Sequence, residues 1–188
     1  MMNEEVRKAG EFLQQGLVIL YPTDTIWGIG CDATNPEAVG KVYQIKQRSD
    51  RKSMLVLVNH LSMLLSYIDV IPDRARKLIQ AAEKPITIIY PGAKNLASNL
   101  ISEDGSVGIR ITSDPFCQHL IQFIGKPIVS TSANISGLEA PSAFREIDPG
   151  ILEKVDYTVK WKQEEAEEGT PSSIVKLDRD GNVTWIRP

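Results

Sequence analysis

Apolar positions sort the chain into alternating helices and strands. Val6, Ala9, Gly10 and Leu13 recur at helical spacing, which predicts an amphipathic first helix that Gly16 can end. "LVILY" (17–21) reads as a short buried strand, and "PTDTIWGIGCDATN" as a loop running to Asn35. Asn35 followed by Pro36 is a helix start, because asparagine caps and proline fits the first turn. That helix turns Ala38, Val39, Val42 and Tyr43 inward and runs to about Arg48. "MLVLV" (54–58) is a strand, followed by helical patterns at 60–68 and 72–83. The second of these begins at Pro72 and buries Ala75, Leu78, Ile79 and Ala82. "ITIIY" (86–90) and "SVGIRI" (106–111) are strands. Asp114-Pro115 opens a helix with Phe116, Leu120, Ile121 and Ile124 inward and Gly125 as its stop. "PIVST" (127–131) is the next strand.

In the tail, "DYTVKW" and "SSIVKL" read as strands, and "DRDG" turns the latter into "NVTWIR" as a hairpin. Between them, "KQEEAEEGTP" is polar and acidic and reads as a mobile surface loop. Strands interleaved with helices and closed by a hairpin predict a mixed α/β (α+β) domain. The hairpin needs antiparallel pairing, which argues against a purely parallel sheet. No repeat or linker divides the chain, so residues 1–188 are expected to form one domain.

Composition narrows the class. Of 188 residues, 42% are hydrophobic and 24% charged, as in ordinary globular proteins. The formal net charge is −3, so nothing global demands nucleic acid or an anionic membrane. Cys31 and Cys117 lie far apart and suit reduced packing thiols. The N-terminus lacks an apolar signal core, and no apolar run approaches the ~18 residues of a membrane span. A cytoplasmic, non-membrane protein is expected.

Four features could hold chemistry. Lys41, Lys46, Arg48, Arg51 and Lys52 outnumber the single acid Asp50 between positions 41 and 52. They are either a solvated helix end or an anion site. Lys46 would share the inward stripe with Val39 and Val42, so either its stem reaches outward or its amine faces a polar cavity. Arg48 would point the other way, and the two cations meet one ligand only if the helix unwinds near Gln47. "PTDTIWGIG" offers Thr23, Asp24 and Thr25 directly after a strand, with Gly28 and Gly30 permitting close approach; a capped turn is the plain alternative. "STSANISG" supplies Ser130, Thr131, Ser132, Asn134 and Ser136, or simply a polar turn. Arg110, between Ile109 and Ile111, either meets solvent or lines a pocket and forks onto a carboxylate. No GxGxxG, P-loop or GxSxG motif occurs, and the two histidines have no second ligand at metal spacing.

Together these segments resemble one family. "YPTDTIWGIG", "IKQR", "VGIR", "PIVSTSANISG" and "PSSIVKL" follow the order and approximate spacing of YrdC-type threonylcarbamoyl-AMP synthases. The pairing of KxR (Lys46-Gln47-Arg48) with SxN (Ser132-Ala133-Asn134) is that family's signature. The resemblance implies a twisted mixed sheet with flanking helices around a concave basic cavity. It implies synthesis of threonylcarbamoyl-AMP and pyrophosphate from L-threonine, bicarbonate and ATP, with Mg²⁺ arriving on the ATP. The product would pass to a partner transferase complex that modifies tRNA. By the same resemblance, Lys46, Arg48, Lys52, Ser106, Ser132, Asn134, Ser142 and Arg187 face the nucleotide, Lys46, Arg48, Ser132 and Asn134 being catalytic. Thr25, Arg110 and Ser172 face threonine. Trp27, Ser49 and Leu57 depart from the family's usual tyrosine, proline and occasional histidine. An ending at Pro188 matches the short form. The alternatives are a module that binds double-stranded RNA or tRNA, or one that senses nucleotide without turnover.

Overall fold

The computed structural model describes residues 1–47, 54–165 and 169–188. Helix α1 spans Met2–Gln14 and buries Val6, Ala9, Gly10 and Leu13, as the spacing predicts; Gly16 behind it has φ +73°. Strand β1 (Ile19–Tyr21) follows. The expected loop that comes next contains a strand of its own, β2 (Gly28–Gly30). It pairs antiparallel with β1, where a Cβ on Gly30 would lie 2.2 Å from the Val129 carbonyl. Only glycine lets the neighbouring backbone approach so closely.

Helix α2 (Pro36–Ile45) is capped by Asn35, whose side chain accepts the N–H groups of Glu37 and Ala38. It ends at Ile45 rather than near Arg48, because Gln47 adopts φ +50° and breaks the helix. Strand β3 (Leu55–Val58) leads to α3 (Leu61–Leu64) and α4 (Asp73–Ala81), both shorter than their hydrophobic patterns. In α4 only Ala75 is fully buried; Leu78 and Ile79 are half-buried and Ala82 is exposed past the helix end. Strands β4 (Ile86–Tyr90) and β5 (Val107–Ile111) precede α5 (Pro115–Ile124). Asp114 caps α5 and Gly125 stops it at φ +68°, with Ile124 half-buried. Strand β6 (Ile128–Ser132), helix α6 (Pro149–Leu152) and strand β7 (Tyr157–Thr158) come next. The last is shorter than "DYTVKW" suggests. The chain closes with the expected hairpin of β8 (Ser173–Leu177) and β9 (Val183–Arg187).

Among the described residues nine strands form one mixed sheet, in the order β7-β1-β2-β6-β3-β5-β4-β8-β9. Alternation sorts their residues onto two faces. One face presents Ile29, Val56, Val58, Ile109, Val129 and Val175, packed with Val39, Val42, Leu64 and Ala75 of α2, α3 and α4. On the other, α1 and α5 cover Ile19, Tyr21, Leu57 and Ile128 through Val6, Leu13, Phe116 and Leu120. Further along that face Gly28, Leu55, Gly108, Ser130 and Ser132 line a cavity.

Candidate functional site

The cavity has a volume of about 270 Å³. Its floor is the open sheet face, where Gly108 leaves space between Thr87, Ile89 and Leu55. The segment Thr25–Trp27 forms one wall, and Pro171, Ser172 and Arg187 contribute another side. Trp27 is buried and packs against Phe144 with ring centroids 4.8 Å apart.

Arg110 is the central charge. Alternation on β5 puts it on the cavity face beside Gly108, and it is 2% exposed. Nη1 donates to Thr25 Oγ1 at 3.2 Å, and Nη2 lies 3.0 Å from Asp24 Oδ1. That contact is an ion pair that is too poorly aligned for a hydrogen bond, so among the described residues Nε and Nη2 are buried donors with no hydrogen-bond acceptor. These two N–H groups share the guanidinium edge that fits both oxygens of a carboxylate. Native proteins rarely leave such donors unmet, so a ligand is the natural completion.

Ser172 is 3% exposed, and its hydroxyl shares a 2.8 Å hydrogen bond with Thr87, which sequence reasoning did not single out. Its carbonyl accepts Nε and Nη2 of Arg187 at 2.9 and 2.6 Å. A register shift produces this geometry: Val175 faces Trp185 while Ile174 faces Arg187, leaving Ile186 as a bulge. The extra residue turns Arg187 onto the cavity face with Ile174, a common use of bulges beside binding sites. Burial first, and then the charge of Arg110, lower the Arg187 pKa, the signature of two cations sharing one hollow.

Lys46 is 2% exposed, so the inward stripe placed it correctly. Its amine donates to the carbonyls of Ser132 and Asn134 and to Asn134 Oδ1. Asn134 Oδ1 also accepts the Ser132 hydroxyl, and Asn134 Nδ2 donates to the Leu138 carbonyl. Lys46 is thus physically joined to the Ser132–Asn134 segment and pins the loop after β6. Ser132 lines the cavity, whereas Asn134 stands behind it.

Other expected residues lie apart. Ser106 is buried at the entry to β5, donating to Asp104 outside the cavity lining. Ser142 donates to Glu146 and borders a second hollow of about 300 Å³, across Thr25–Trp27 from the first. Arg48 and Lys52, expected at the nucleotide, and Arg51 of the basic cluster fall outside the described residues. The Cys31 and Cys117 thiols are buried, and burial pushes both pKa values up, which suits packing rather than nucleophilic chemistry. Among the described residues no helix is long and apolar enough to cross a membrane.

Comparison with known proteins gives a consistent picture. The model of the Sua5/YciO/YrdC family, described as "Telomere recombination", matches residues 11–188. The chain is 35% identical over 174 residues to a threonylcarbamoyl-AMP synthase of Pseudoalteromonas translucida (strain TAC 125), covering 91% of each. It resembles the solved structure of E. coli YciO at 26% identity and a TM-score of 0.85, covering 100% of this chain and 89% of that one. It also resembles P. abyssi Sua5, solved in complex with L-threonine, at a TM-score of 0.85 and 22% identity. That likeness shows the fold alone. It covers 97% of this chain, which spans about half of Sua5, 53%.

Proposed function

Because the chain belongs to the Sua5/YciO/YrdC family, we propose that it is a nucleotidyltransferase making threonylcarbamoyl-AMP and pyrophosphate from L-threonine, bicarbonate and ATP. The observation that supports this most directly is the Nε–Nη2 edge of Arg110, which lines the cavity and has no hydrogen-bond acceptor among the described residues. An α-amino acid brings the carboxylate that edge lacks. In this reading Arg110 forks onto the threonine carboxylate, with Thr25 and Ser172 beside it. Arg187 and Ser132 face the nucleotide from the rim, and Lys46 and Asn134 hold the loop that presents Ser132. Arg48, Lys52, Ser106 and Ser142 belong to the nucleotide side by family resemblance.

The chemistry needs positioning and charge neutralisation more than a protein nucleophile. The threonine amine adds to bicarbonate and water is lost, giving a carbamate. A carbamate oxygen then forms a bond to the α-phosphorus of ATP while the bond to pyrophosphate breaks. Mg²⁺ enters with ATP, held largely by its phosphates. The product serves tRNA modification through a separate transferase complex, and residues 1–188 act as one domain in the cytoplasm.

The test is pyrophosphate release by the folded protein. Release that requires ATP, threonine and bicarbonate together supports the proposal; none, with or without transferase partners, defeats it. Double-stranded RNA binding that weakens steeply with salt, without turnover, would favour the RNA-binding alternative.

A further inference from the structure

We propose that Asp24 is a positioning residue for the amino-acid ligand, holding the Arg110 guanidinium so that its Nε–Nη2 edge stays available. This rests on the reading of the cavity as a threonine site. Asp24 lies just after β1 and is tied down from the far side: Oδ2 accepts the Thr112 hydroxyl and the Ser113 N–H, both at 3.3 Å. Thr112 is 1% exposed, and it leads directly into the Asp114 cap of α5. The Asp24 carboxylate is therefore fixed to a packed helix terminus rather than swinging on its loop.

Oδ1, the other oxygen, is buried 3.0 Å from Arg110 Nη2 yet makes no hydrogen bond. At that separation in a largely dry site the attraction between the charges is strong. It offsets the buried positive charge without consuming the N–H groups that a ligand needs. Thr25, the next residue, accepts Nη1 at 3.2 Å. Two consecutive residues thus grip the tip of the guanidinium from one side. A plain turn-capping aspartate would need only the Thr112 and Ser113 bonds; the close approach to Arg110 is the additional observation.

The variant Asp24→Asn keeps the side chain's size and removes the charge. Threonine KM should rise about tenfold, the scale of one weakened charge-assisted contact. ATP KM and kcat should stay within about twofold. Threonine affinity measured by calorimetry should weaken in parallel. In Arg110→Gln, adding Asp24→Asn should cost no further threonine affinity, since the residue acts through Arg110. If Asp24→Asn does not fold, Thr112→Val removes one of the two Oδ2 tethers, together with the acceptor of the Asp114 N–H, and should raise threonine KM by a smaller factor while leaving ATP KM unchanged. Unchanged threonine KM, or threonine and ATP KM rising together, overturns the inference while wild-type turnover stands. A wild type that neither binds threonine nor releases pyrophosphate overturns the parent reading as well.

Discussion

Lys46→Met separates two roles that the same lysine could play. Methionine fills most of the buried stem but cannot donate. The Ser132 carbonyl keeps the Asn134 N–H at 2.9 Å, and Asn134 Oδ1 keeps the Ser132 hydroxyl. The Asn134 carbonyl loses its ammonium donor. One buried acceptor left short costs roughly 1–3 kcal/mol, and bonds to a charged donor add to that. Removing the buried ammonium recovers part of the loss. The balance is about 2–3 kcal/mol, or a fall in Tm of roughly 4–12 °C for a chain of this size. Thermal melts followed by circular dichroism measure it, with ATP KM determined on the same samples. Both a lower Tm and a weaker ATP KM are expected, because the loop presenting Ser132 is no longer pinned. An unchanged Tm with ATP binding abolished would refute it: the amine would then serve the nucleotide directly.

Two further outcomes follow from the same geometry. A Cβ on Gly108 would meet Thr87 Cγ2 at 3.5 Å and Ile89 Cγ1 and Leu55 Cβ at 3.8 Å, all ordinary contacts. Gly108→Val should therefore fold with Tm within a few degrees of wild type, while its methyl groups fill the cavity floor and threonine-dependent pyrophosphate release falls at least about tenfold. Outside the cavity lining, the hydrogen bond from Lys176, then that from Ser106, lowers the Asp104 pKa from its ordinary 3.8 to about 2. A depressed folded-state pKa contributes stability that is present above 3.8 and lost as pH falls toward 2. Asp104→Asn should flatten that acid limb in denaturation curves recorded at several pH values.

Local signals made much of the fold legible. Asn35-Pro36 and Asp114-Pro115 marked helix starts because capping is a contact between near neighbours in sequence. The inward stripe placed Lys46, whereas the helix was expected to run on to about Arg48 and instead ends at Ile45, before the positive φ of Gln47. What stayed hidden depends on distant pairing. Gly28–Gly30 has no strand-favouring pattern, and becomes a strand only because β1 and β6 flank it. Ala82 fits the helical period but lies past the last turn, out of reach of the core. Strand β7 is limited to two residues, the stretch that meets β1. In the site, Arg110 and Ser172 were readable as candidates. The hydroxyl of Thr87 inside an apolar strand was a missed signal, and the bulge that aims Arg187 has none in sequence. The grip of Asp24 on Arg110 spans 86 positions in the chain, and no spacing rule reaches that far.

The most direct measurement is a structure of the protein with L-threonine bound. Both carboxylate oxygens should lie about 2.7–3.0 Å from Nε and Nη2 of Arg110. Threonine bound elsewhere, with that edge of the guanidinium still facing no acceptor, would contradict the account.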